Sequence, residues 1–459
     1  MLFLKIPMAE IPKKRLAFPQ KTLFLTLSLL LLLTPPILKT QEQGKMPLPF
    51  EYFQLSNGLH VILSEDHSLP LVSVVIGYNV GSINEQPGKT GIAYLLENLM
   101  FQGSRNVSRM QHISFINRIG GELSATTTQD KTLFYQRVPS NQLARVLWLE
   151  SDRMRFLEIS ALKIEQIKEA LIEEINQRKA NDPYRESFLA FDQLLYPDFA
   201  YSHPVIGNET DIRNLTVEYV RDFYLTYYTP NNAVLCVAGN IDKRKTEGEI
   251  RKYFETLPKG KDIPPLPPIK TPSQKGVVKS LENVLASLPG FHLGYRIASP
   301  VSDDFYPLKI IEYILLQGEA SRIYRRLLKR EVIAVQLNGN IEKRGNLATL
   351  RMFVVNSNQL LLERSQRAIF SEINRLKSRI IQEKELRRAK NTFKMDYINH
   401  YATSLNKALF LTETFLSKQR LDDLPVELEK YLSINTYDIL RTSKKYFTQE
   451  STLLNIKIR

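Results

Sequence analysis

Tyr94, Glu97 and Asn98 fall within the run Ala-Tyr-Leu-Leu-Glu-Asn, Ala93–Asn98, and a second acidic candidate, Glu174, lies in EALIEEINQRKANDP, Glu169–Pro183. On a helix, positions i and i+4 share a face, so residues 94 and 98 are placed as two ligands of one metal would be. A carboxylate one residue before the second ligand reaches a metal-bound water and serves as its base, which is the place of Glu97. Positions 94 and 98, however, carry a phenol with an ordinary pKa of about 10 and a neutral amide. Catalytic zinc takes three protein ligands from Cys, His, Asp or Glu. Within the run Ala93–Asn98 only Glu97 has such a side chain, and it becomes a ligand only by giving up its role as base. The six histidines, His60, His67, His112, His203, His292 and His400, include no i, i+4 pair. Stoichiometric zinc is therefore not expected in this chain.

By itself a helix with Leu95, Leu96, Leu99 and Met100 is an ordinary core helix, and the specificity comes from its flanks. GKTGIAYLLENLMFQGS (Gly88–Ser104) follows an apolar strand, Val72–Gly81, and the Gly81-Ser82 and Glu85 positions. GGELSATTTQDKTLFY (Gly120–Tyr135), YSHPVIG (Tyr201–Gly207) and YYTPNNAVLCVAGN (Tyr227–Asn240) come later. Together these segments resemble the pitrilysin and insulinase zinc peptidases, the inverzincins, in the bacterial branch that is similar to the mitochondrial processing peptidases. The likeness runs from about Glu51 to the C-terminus.

The resemblance implies His-x-x-Glu-His with both histidines replaced, by Tyr94 and Asn98, the base position kept as Glu97, and the third-ligand position kept as Glu174. A further family glutamate, seven residues before the third ligand, is Ile167 here. The Gly-Gly-x-x-Asn-Ala-x-Thr strand of the family carries Ser124 at the Asn position, with Ala125 and Thr127 matching, and these three are the implied substrate-binding residues. GEASRIYRRLLKREVIAVQL (Gly318–Leu337) resembles the segment that holds an arginine and a tyrosine seven residues apart, which bind substrate or the developing oxyanion; here those positions are Leu328 and Val335. Arg322, Arg325, Arg326 and Arg330 read as a solvated helix face.

The implied fold is α+β: two homologous domains, each a mostly antiparallel sheet packed with helices, forming a half-clamshell. At 459 residues the chain suits two domains. Residues 1–46 carry Lys5, Lys13, Lys14, Arg15 and Lys21 ahead of the apolar run Thr22–Thr34, a signal peptide or N-terminal anchor. Residues 47–257 form the first domain and 274–459 the second. The linker is 258–273, where Pro258, Pro264, Pro265, Pro267, Pro268 and Pro272 cluster. Expected strands are Leu71–Val80, Glu122–Thr128, Lys131–Val138, Val234–Gly239 and Phe291–Ile297, with a hairpin turn at Ser56-Asn57-Gly58. Expected helices are Thr90–Phe101, Met110–Ile119, Asn141–Phe156, Leu162–Lys179, Arg185–Leu195, Val217–Tyr227 and Phe305–Leu316. Lys444–Leu454 repeats the helix-end, turn and strand of Thr226–Leu235, which marks an internal duplication.

Of the net charge of +14, the first 46 residues hold seven Lys/Arg and two acids, and the remainder is spread thinly. No basic cluster with interleaved aromatics points to nucleic acid. The one cysteine, Cys236, lies in an apolar strand and has no partner for an intrachain disulfide.

The expected function is a non-catalytic member of the family, exported to the periplasm or anchored by its leader to face it. It binds unfolded peptide as partner of an active homologous subunit that carries the zinc, or as a homodimer. The alternatives are a stand-alone peptide-binding scaffold and a metallopeptidase with an atypical site. Two geometric expectations follow. Glu122–Thr128 is an exposed edge that accepts a peptide by strand addition. Glu97 and Glu174 face one another without a resident cation, raising one pKa, and Tyr94 or Asn98 hydrogen-bonds Glu174 where the metal bridge would be.

Overall fold

Alternating apolar residues build two sheets, seen in a computed structural model that describes residues 49–266, 269, 276–448 and 450–458. The first sheet comprises β1 (Glu51–Gln54), β2 (His60–Glu65), β3 (Leu71–Tyr78), β4 (Glu122–Thr127), β5 (Thr132–Pro139) and β6 (Ala233–Gly239), in the order β1-β2-β6-β3-β5-β4. The second comprises β7 (Val277–Asn283), β8 (Gly290–Ile297), β9 (Ala334–Arg344), β10 (Leu347–Asn356) and β11 (Thr452–Ile458), in the order β7-β11-β8-β10-β9. Strand for strand, β2-β6-β3-β5-β4 and β7-β11-β8-β10-β9 have one topology. Each has a single parallel pair, β2 with β6 and β7 with β11, and otherwise antiparallel neighbours. The duplication read from Lys444–Leu454 is thus present in the strand order, and the fold is the expected α+β arrangement. The leader lies outside the described residues, as does part of the proline-dense stretch.

The sequence explains the first turn. β1 and β2 pair antiparallel across Asn57-Gly58, where Gly58 takes φ +93°, a value glycine adopts without a Cβ penalty. β6 reads AVLCVAG and is buried at every position because it lies mid-sheet between β2 and β3. Cys236 on it is a buried free thiol, pushed up to about 12 by burial.

Each sheet has a helix from the other half against it. Ser404–Lys418, in the second half by sequence, lays Ala408, Leu411, Phe415 and Leu416 on Ile62, Val75, Leu133, Val234 and Cys236 of the first sheet. Arg185–Leu195, in the first half, packs on β7, β8 and β11. Its Ser187 hydrogen-bonds His292 on β8 at 2.8 Å, and its Asp192 is paired with Arg344 at 2.7 Å. Burial and the nearby Arg351 charge drop the His292 imidazole to about 3, so it sits neutral among Phe188, Phe191 and Phe353. The described residues form one compact unit.

Candidate functional site: a carboxylate pair without imidazoles

The helix Ile92–Leu99 buries Ile92, Ala93, Leu95, Leu96 and Leu99, which turns Tyr94, Glu97 and Asn98 to its open side. Its N-terminus is capped from a distance. Glu85, fully buried, accepts the N–H groups of Gly91 at 2.9 Å and Ala93 at 3.0 Å, and His203 bonds the same carboxylate at 3.0 Å. The YSHPVIG segment comes very close to the cap. A Cβ on Gly207 would stand 2.6 Å from the Thr90 carbonyl oxygen and 2.7 Å from the Gly91 Cα, so the approach requires glycine. Sequence reasoning noted Glu85 and YSHPVIG as flanking markers and missed that together they hold this helix in place.

The helix Ala161–Asn181, capped by the Ser160 side chain, buries Ile164, Ile167, Leu171, Ile172 and Ile175 against the first core. Ile167, where a second glutamate was in question, is thus a core residue. Glu174 emerges beside that row and meets Tyr94, whose hydroxyl donates to Oε1 at 3.1 Å and lies 3.4 Å from Oε2. The expected Tyr94–Glu174 hydrogen bond is therefore present. Asn98 turns away, donating its amide to the Tyr94 carbonyl of its own helix at 2.9 Å. Tyr94 is half-buried, and burial followed by the Glu174 charge pushes its phenol up to about 12.

Two expectations need correction. Glu174 has a cation: Arg178, one turn along the same helix, pairs with Oε1. The spacing Glu-x-x-x-Arg was readable as an i, i+4 pair and was passed over. Glu97 looks toward β4, where the Thr127 hydroxyl donates to its Oε2 at 2.5 Å. Its pKa is raised, but burial is the first cause; Thr127 opposes it, and repulsion from Glu174 is a lesser contribution.

β4 is an edge strand, as expected, with Ser124 exposed and Ala125 and Thr127 partly buried. Thr128 sends its N–H to the Lys131 carbonyl across the turn, so by alternation Ala125 and Thr127 direct their backbone groups away from β5. In the second half, Leu328 packs on the core there and Val335 is exposed on β9, the other sheet's edge. The site thus joins Tyr94, Glu97, Asn98, Glu174, Arg178 and Thr127.

These residues do not suit zinc. Among the described residues no three His, Cys, Asp or Glu side chains are grouped to hold a metal ion. Glu174 is engaged by a phenol and a guanidinium, and an amide stands where a second imidazole would be needed.

Residues 60–197 match the family described as Insulinase (Peptidase family M16), and residues 214–393 match the Peptidase M16 inactive domain. The chain belongs to peptidase family M16. It is 26% identical over 414 residues to the zinc protease PqqE of Helicobacter pylori, covering 88% of this chain and 92% of that one. An uncharacterized zinc protease of Rickettsia bellii is 21% identical over 410 residues, 88% and 96% of the two chains. Among solved structures, a protease from Helicobacter pylori superposes with a TM-score of 0.84 at 24% identity, over 90% of this chain and all of that one. A peptidase M16 inactive domain from Pseudomonas fluorescens gives 0.80 at 16% identity, over 90% and 98%. These likenesses establish the two-domain M16 fold, and the second half of this chain is of the family's inactive type.

Proposed function

We propose that this M16 chain is a non-catalytic, peptide-binding subunit whose zinc-bearing partner is a homologue. The observation that carries the reading is the Tyr94–Glu174–Arg178 network: the third-ligand carboxylate is committed to a phenol and a guanidinium, and no pair of imidazoles faces it. Zinc, in this reading, resides in the partner subunit. A homodimer that binds peptide without hydrolysis is the alternative assembly. Unfolded peptide adds to the β4 edge, where the main-chain groups of Ala125 are directed outward and Ser124 is exposed, whereas the outward N–H of Thr127 is held by Glu97. Backbone pairing depends on none of the lost imidazoles, so binding outlasts the loss of chemistry.

Export is part of the proposal. The basic and apolar leader supports it, and the periplasmic protease PqqL from Escherichia coli is similar in fold, with a TM-score of 0.74 over 90% of this chain and 48% of that one. The chain then works in the periplasm, free or held by its leader.

A second reading, a zinc protease with an atypical site, is favoured by the name of the Helicobacter pylori relative. One experiment separates the two. The purified full chain, alone and mixed with a homologue that has His-x-x-Glu-His, is assayed for zinc and for cleavage of an unfolded peptide. The expected result is peptide binding without hydrolysis by the chain alone, and faster cleavage in the mixture. Hydrolysis by the isolated chain that disappears in Glu97→Gln overturns the proposal. Within it, Ala125→Pro removes an outward backbone donor and should weaken peptide binding about tenfold; unchanged affinity in a folded variant rejects the β4 edge as the binding strand.

A further inference from the structure

Arg325 and Arg330 are exposed, as a solvated face requires, and with Arg322 and Arg326 they also line a cavity. Arg322, Arg325, Arg326 and Arg330 reach it from the helical segment 322–330, and Arg375 and Arg379 from the end of the helix Leu362–Ser378. The cavity holds about 280 Å3 and is also lined by Gln382, at the N-terminus of the helix Glu383–Asn399. That is near the lower end of ligand clefts, about 300 Å3.

Only Glu372 and Glu385 bring negative charge to the lining. Arg322 holds Glu385 through two bonds, of 2.8 and 2.6 Å. Arg326 and Arg375 share Glu372 at 3.0 and 2.9 Å. Both acids are thus occupied, and among the described residues Arg325, Arg330 and Arg379 form no ion pair, so the cavity carries a surplus of positive charge. Arg388, near enough to feel the charges of Glu385, Arg325 and Arg322, has a buried Nη2 with no hydrogen-bond partner among the described residues.

The backbone here is also unusual. Residues Arg325–Arg330 form a π-helical turn, a rare conformation that recurs at functional sites. Val332 follows at φ +48°, a left-handed value that a β-branched residue rarely adopts. Strain of this kind persists where surrounding structure enforces it, and it gathers at ligand sites. An exposed helix face for solvation alone needs neither feature.

The geometry points to a binding site for a phosphate-type oxyanion carrying two or more negative charges, held by Arg325, Arg330 and Arg379. Guanidinium forks match the terminal oxygens of phosphate in paired hydrogen bonds, and arginine binds such groups without competing deprotonation. Three unpaired forks around one small cavity suit a tetrahedral group better than a planar carboxylate. The site stands apart from the Tyr94–Glu174 network and does not depend on the function proposed above.

The test is calorimetric titration of the full chain with pyrophosphate at fixed ionic strength, repeated with inorganic phosphate and with malonate, a dicarboxylate whose charge is close to that of inorganic phosphate. Saturable binding of one pyrophosphate per chain is expected, with phosphate weaker and malonate weaker still. Arg325→Gln with Arg379→Gln should weaken pyrophosphate at least tenfold and abolish its upward shift of the melting temperature. Arg244→Gln with Arg420→Gln, an equal loss of charge on exposed residues elsewhere, should change it less than twofold. The inference is overturned if the folded chain shows no saturable pyrophosphate binding, if malonate binds as tightly, or if both pairs of substitutions weaken binding alike.

Discussion

Restoring two imidazoles asks whether the helices still stand in a zinc-competent arrangement. Ligand atoms about 2.0–2.2 Å from a tetrahedral zinc lie roughly 3.4 Å from one another. The Tyr94 hydroxyl is 3.1 and 3.4 Å from the two oxygens of Glu174. Position 94 therefore already approaches Glu174 at ligand-to-ligand spacing, and the shorter imidazole of Tyr94→His leaves room between them. Asn98→His supplies the third donor, one turn along the same face. The interaction opposing a metal is the Glu174–Arg178 pair, whose side chains are 32% and 46% exposed. An exposed i, i+4 pair is worth about 0.3–0.5 kcal/mol, roughly a factor of two in affinity. Three-ligand zinc binding far outweighs that, given that structural zinc sites reach about 10–16 kcal/mol. The double variant should thus bind one zinc per chain, and adding Arg178→Ala should tighten it only about twofold, as measured by competition against a chromophoric chelator with metal analysis alongside. A folded double variant without zinc, or zinc binding that appears only after Arg178 is removed, would refute the reasoning. Peptidase activity should return less readily than metal, because Leu328 and Val335 stand where the family resemblance places a transition-state arginine and tyrosine.

Three further outcomes are expected. Burial raises the Glu97 pKa above its ordinary 4.5, so the folded state is most favoured below that value and loses stability as pH rises through the folded pKa. Glu97→Gln should accordingly gain in melting temperature relative to the parent between pH 4 and pH 7; an equal difference at both values contradicts this. Leu411→Ala removes a side chain only 1% exposed against the first sheet, at a cost of about 2–5 kcal/mol, and should lower one shared unfolding transition for both halves. A first-half transition left unmoved counts against that coupling. Val332→Gly relieves about 1–2 kcal/mol of left-handed strain against about 0.4–1 kcal/mol of added chain entropy, so denaturant titration should find it modestly more stable, and a loss argues against strain at φ +48°.

Local structure near the site was legible because its periodicity is strong. Arg185–Leu195 and Val217–Tyr227 begin and end as the pattern indicated, and Ile92–Leu99 lies inside the expected Thr90–Phe101. Partnership was not legible. The apolar face of Arg185–Leu195 announces burial, but nothing in it says that the burying surface is the second sheet. The same is true of Ser404–Lys418, whose target lies more than 160 residues earlier at the nearest strand, β6. β9 escaped notice because it is an edge: Gln336, Asn338 and Asn340 are exposed, which removes the apolar run that betrays an inner strand. At the site, residue types suggested the contact between Tyr94 and Glu174, while Thr127 as the partner of Glu97 required the fold, since β4 and the Ile92–Leu99 helix meet only in three dimensions.

The remaining question is why a site that lacks imidazoles stays ordered. A carboxylate in a partly enclosed site is costly without a counter-charge or donors. Simple drift would leave the groups of the old metal face pointing to water. Instead, Glu174 has a phenol and a guanidinium, Glu97 has a hydroxyl, and the Asn98 amide closes on its own helix. Arg178 supplies one positive charge in a place where zinc would bring two, and the Tyr94 hydroxyl adds a directed hydrogen bond. A single charge on a flexible side chain neutralises a carboxylate but polarises no carbonyl and acidifies no water. The arrangement therefore supplies the donors and the counter-charge that the helices need in order to pack, which is all that the proposed peptide-binding role asks of this site.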